Sequence, residues 1–166
     1  MASEAERDNV QMDADKAFEH LQQLVDALPQ MKELGEQVRL GRAAEQAAQF
    51  SHDAERAQAA LAQCEDGLAA ARAAYDRAVQ SGDAQAAEVQ SHEVLFWADQ
   101  VALAKGPVND AAYHMQKLLS REGLKSAEEA LTYAMSADEL AALDAQIAAY
   151  QAGYQQTLVL CQEFGE

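Results

Sequence analysis

Four histidines, two cysteines and twenty-eight carboxylates are the side chains of this chain that could ligate a metal, act as a nucleophile or exchange protons. A di-metal centre in a helical bundle needs Glu-x-x-His pairs on facing helices. None of His20, His52, His92 and His114 has a glutamate three positions before it. His92 follows Glu88 by four, a pairing that ordinarily solvates one face of a helix. There is no Cys-x-x-Cys and no His-x-x-x-His, so a zinc site would have to be assembled from scattered residues. Cys64 and Cys161 each fall on an apolar seam and read as small buried hydrophobes. With so many acidic residues, any one pair of carboxylates says nothing about acid–base catalysis. The expectation is a protein with no catalytic residues, no metal or cofactor site and no small-molecule ligand: not an enzyme.

Phosphate chemistry is equally absent, since neither Gly-x-x-x-x-Gly-Lys nor Gly-x-Gly-x-x-Gly occurs. Twelve basic residues against 28 acidic ones give a net charge of −16, a surface that repels phosphate backbones. Direct contact with nucleic acid by this segment is therefore not expected, nor is binding to an anionic membrane. No apolar run approaches the roughly 20 residues that span a bilayer, and the N-terminus lacks the basic flank and apolar core of a secretory signal. A cytoplasmic protein is the natural reading, with an extracellular helical protein a lesser one.

What remains is packing, and the elements that would do it are helices. The chain is rich in alanine, glutamine and glutamate, with 2 prolines and 8 glycines, and no stretch alternates as a strand would. The expected fold is all-α: long antiparallel helices in a coiled-coil-like bundle, without a β-sheet. Residues 1–12 read as a flexible acidic N-terminus and 13–166 as a single helical domain. A first helix carries Ala14, Phe18, Leu21, Val25 and Leu28 at heptad spacing, and Pro29 is expected to kink or restart it, with Met31, Leu34 and Val38 continuing the stripe. From Leu40 through Ala47, Phe50, Leu61, Cys64, Leu68 and Tyr75 to Ala78, steps of three and four predict a rod of about 60 Å.

Ser81-Gly82-Asp83 is a turn. A third helix follows to Lys105, with Trp97 at the edge of its apolar stripe. Lys105-Gly106-Pro107 reads as a stop, and a fourth helix over 108–120 ends at Gly123 and Leu124. Two serine capping boxes follow, Ser126-Ala-Glu-Glu129 and Ser136-Ala-Asp-Glu139. They predict a mini-helix of about eight residues ending near Met135, then a long last helix whose seam runs through Leu140, Leu143, Ile147, Tyr150, Tyr154, Thr157, Cys161 and Phe164. The rod ending near Gln80 and this last helix are expected to pack antiparallel, with the middle helices folded against them.

The stretch from Glu122 to Tyr150 resembles the returning coiled-coil arm of the SbcC-type exonuclease subunit, an SMC-like ATPase of DNA repair. In that family a glycine-plus-apolar stop precedes a capped mini-helix, and a second cap precedes a helix with a Leu-x-x-x-Ile-x-x-Tyr stripe. Here those roles fall to Gly123 and Leu124, Ser126 and Glu129, Ser136 and Glu139, and Leu143, Ile147 and Tyr150. The family's phosphate loop, its Leu-Ser-Gly-Gly signature and its zinc hook have no counterpart. The resemblance thus implies a non-catalytic arm segment with a mechanical role. The alternative is a free-standing helical module for protein–protein interaction, as homodimer or adaptor. In either case the narrow seams predict a protein partner, with self-association as a dimer expected, or a monomer only if the third and fourth helices cover both seams.

Overall fold

The computed structural model describes residues 4–165 and is all-α, with no strand among the described residues. Four helices follow in order: α1 (Glu4–Ser81), α2 (Ala84–Glu122), α3 (Ala127–Leu131) and α4 (Ala137–Gly165). Within the single helical domain expected over 13–166, contacts group into two compact units. One comprises 1–42 with 133–166, the other 43–132. Of the acidic N-terminus expected over 1–12, residues 1–3 lie outside the described residues, and α1 is already helical from Glu4.

Neither proline ends its helix. Helix α1 continues through Pro29 without a restart, and α2 through Pro107, where a stop was expected. The physical reason is the same in both. A proline removes one ladder bond and crowds the carbonyl four residues back, but both prolines are solvent-exposed. The inward-facing positions also keep their three-four steps across each proline: Leu24, Ala27 and Met31 in α1, Ala104, Val108 and Ala111 in α2. Lys105-Gly106-Pro107 has the composition of a stop without being one.

In the unit over 43–132, α1 pairs with α2. As the α1 position falls from Gly67 to Phe50 to Gln46, its α2 partner rises from Trp97 to His114 to Arg121. Over 46–67 the rod therefore meets α2, which carries the middle helices expected to fold against it, and not the last helix. The turn that makes this possible is local: Gly82 takes φ 72°, and the Asp83 carboxylate accepts from the Ala86 N–H at 3.0 Å. Trp97 lies across Gly67. A β-carbon there would stand 2.6–2.7 Å from three atoms of the indole. Gly67→Ala should therefore cost about 1–3 kcal/mol through overpacking, read as a lower thermal midpoint. Gly35→Ala has nothing within 4 Å of the added carbon and should gain up to about 1 kcal/mol from helix propensity.

The central cluster of this unit's core is small: Ala43, Ala47, Leu118 and Ala130, flanked by Phe50, Met115, Leu119 and Leu124, with Ala57, Leu61, Ala71 and Ala78 buried further along α1. Helix α2 ends where expected, at Gly123 with φ 68°. The Leu124 N–H returns to the Leu119 carbonyl at 2.9 Å. Helix α3 has five residues, shorter than expected. Ser126 Oγ accepts from the Glu129 N–H, but Glu129 accepts from the Lys125 N–H in place of that of Ser126. The Thr132 hydroxyl then donates to the Glu129 carbonyl at 2.6 Å, and the residues before Ser136 are left non-helical to set up the next cap.

That second cap is the reciprocal box. Ser136 Oγ accepts from the Glu139 N–H at 3.1 Å, and Glu139 Oε2 accepts from the Ser136 N–H at 2.9 Å. Helix α4 then packs on residues 14–42 of α1. Leu140 and Met135 sit over Gly41, where a β-carbon would meet them at 2.8 and 3.0 Å. Arg42 pairs with Asp144, and Tyr150 reaches back to Leu24.

Candidate interaction surface

The side chains of α1 that face α4 are Ala14, Ala17, Leu21, Leu24, Ala27, Met31, Leu34 and Val38, all buried or half-buried. The seam expected from the sequence lies partly one position away. Phe18, Val25 and Leu28 are 47%, 41% and 37% exposed. Helix α1 thus carries an apolar arc wider than one partner helix covers. Its outer ridge stands in solvent.

On α4, Ile147, Tyr150 and Tyr154 project against α1 and bound the groove that this ridge leaves. The groove encloses about 560 Å³ between Leu28, Met31, Lys32 and Gly35 on one side and Ile147, Tyr150 and Tyr154 on the other, with Gln151 and Gln155 at its lip. The two tyrosine rings lie 6.1 Å apart, tilted by 40°. Both are half-buried, so the expectation that they belong to the seam holds while each keeps an edge toward the groove.

The Tyr150 hydroxyl donates to the Leu24 carbonyl at 2.6 Å. Pro29 has no N–H for the Val25 carbonyl, so Tyr150 bonds the backbone one residue before the acceptor that the proline orphans. Tyr150→Phe should cost about 1 kcal/mol, with faster amide exchange over 24–29 as the local readout.

The electrostatics of the groove are unlike those of the chain. Lys32 is its one charged lining residue, and no carboxylate lines it. From Ala145 to Gln162, α4 contains no charged residue at all, in a chain of net charge −16. Elsewhere, on open surface, the hydrogen bond from Arg39 holds the Glu36 carboxyl below its ordinary range.

The residues with potential chemistry are not brought together. His20, His52, His92 and His114 are exposed, and His114 stacks on Phe50 with centroids 5.6 Å apart. Cys64 is half-buried and Cys161 buried, both as free thiols. Among the described residues no group of three or more His, Cys, Asp or Glu could hold a metal ion. No helix among them is long and apolar enough to cross a membrane. No family model, no curated protein and no solved structure matches this chain.

Proposed function

We propose that this chain is a non-catalytic structural element that works through helix packing, of the kind found in the coiled-coil arm of an SbcC-type DNA-repair ATPase. The observation that carries the reading is the character of its packing. Helices meet along seams, and among the described residues no large side chain is fully buried. An enclosed interior, the usual setting for a catalytic pocket, is thereby replaced by extended paired surfaces. The stretch that resembles the family supports the sharper part of the proposal. Gly123 stops α2, Ser126 caps α3 and Ser136 caps α4, in the order that the resemblance implies. Such an element would hold other parts of a protein apart and relay changes along packed helices, with no direct contact to nucleic acid and no cofactor. An antibody raised against this segment tests the reading on lysate of the source cells. A band several times the 18.0 kDa of this chain, identified by mass spectrometry as an ATPase, is expected. A band at the chain's own mass would remove the arm reading.

A second reading, a free-standing cytoplasmic interaction module, is favoured by a different observation. Val89, Phe96 and Leu103 stand seven residues apart on α2 and are 55%, 52% and 70% exposed. An outward line at heptad spacing suits a partner helix. Recovery of the chain at its own mass would select this reading.

A further inference from the structure

We propose that the α1/α4 groove is a self-association surface whose occupant is a second copy of this chain. The inference rests on the reading of the chain as a packing element and names the partner of one of its faces. Three observations converge on it. The ridge of Phe18, Val25 and Leu28 continues the apolar arc of α1 past the part that α4 covers. The groove beside it is lined by apolar side chains, glutamines and Lys32, without a carboxylate. Its α4 wall belongs to the uncharged run from Ala145 to Gln162.

Charge selects the occupant. A basic partner helix would be drawn to the acidic remainder of the surface and would gain nothing from a neutral groove. For a body that itself carries −16, a groove lined without a carboxylate is a place where apolar surfaces can meet with little like-charge repulsion. The face is also self-complementary, as a two-fold contact must be. Crossing two copies of α1 head to tail at Val25 sets Lys32 of each opposite Phe18 of the other. Asp15 lies one turn from Phe18, so each copy's cation meets the other's carboxylate, and that pairing occurs twice.

Sedimentation velocity on the whole chain, from micromolar to sub-millimolar concentration, tests this. The expected species is a dimer of the 18.0 kDa chain, and the association should tighten with added salt because the charge outside the groove is acidic. Val25→Glu with Leu28→Glu, both at exposed positions, should weaken the dimer by roughly thirtyfold or more while the helical circular dichroism is unchanged. Lys32→Glu should weaken it by about tenfold, and Asp15→Lys in the same chain should restore it, because each pair is exchanged twice. Val89→Glu with Leu103→Glu, on α2, should leave the dimer intact. A monomer at every concentration and salt overturns the proposal. So does a dimer lost through the α2 variant and kept through the α1 variant, or a Lys32→Glu chain that Asp15→Lys does not restore. None of these outcomes depends on the size of the polypeptide in lysate, so this proposal and the arm reading fail separately.

Discussion

Leu118→Ala should destabilise the unit over 43–132 by about 2–5 kcal/mol, the largest loss expected from any single truncation in the chain. Leu118 is 2% exposed and is the one large side chain among the four central core residues; the others are Ala43, Ala47 and Ala130. Alanines cannot extend into a gap, and their helices are held at that spacing by direct contact. The site therefore collapses poorly, which places the expected cost in the upper half of the range. Hydrogen exchange over 43–60 and 110–130 checks it directly, without assuming that both units unfold together. Leu103→Ala is the comparison. At 70% exposure it should change stability by less than about 0.5 kcal/mol. Equal effects at 103 and 118 would mean that the α1/α2/α3 contact is not the core of the unit.

The parts of this fold that the sequence makes legible are those decided within a few residues. Asp83, Gly123, Ser126 and Ser136 end or begin helices where local chemistry says they should, because a cap is satisfied by its own neighbours. The prolines mislead for a related reason. Pro29 and Pro107 read locally as breakers, but the apolar steps Ala27 to Met31 and Ala104 to Val108 cross them unbroken, and burial along a long seam outweighs one lost bond.

Choice of face is a harder matter. Phe18, Val25 and Leu28 have as good a heptad spacing as Ala17, Leu24 and Met31. Periodicity shows that α1 has a wide apolar arc, whereas only the position of α4 decides which ridge is covered. Pairing is non-local too: nothing within 40–80 says that α2, and not the last helix, lies beside it. The groove follows from these two facts. Its residues were readable as seam, but the opening between Leu28 and Tyr154 was not, because an uncovered ridge exists only relative to the helix that fails to cover it.

Pro29→Ala should stabilise the chain, by about 2 kcal/mol. An interior helical proline costs about 3 kcal/mol relative to alanine. Against this, alanine frees the unfolded chain and gives back about 0.4–1 kcal/mol. Pro29 is exposed, so no packing is lost with its ring. The gain restores the bond between the residue 29 N–H and the Val25 carbonyl and relieves the crowding there. Urea denaturation measures it as a higher midpoint with an unchanged slope. A lower midpoint would mean that the ring is required for the path of α1 past α4, and that the exposed proline sets a local bend. The Tyr150 contact sharpens the test. If its hydroxyl compensates for backbone disturbed by the proline, Tyr150→Phe should cost less in the Pro29→Ala background than in the natural chain. The two substitutions then show a coupling of about 0.5 kcal/mol or more, the sign of residues that share one network. Strict additivity would make the Tyr150–Leu24 bond a tether between helices that owes nothing to Pro29.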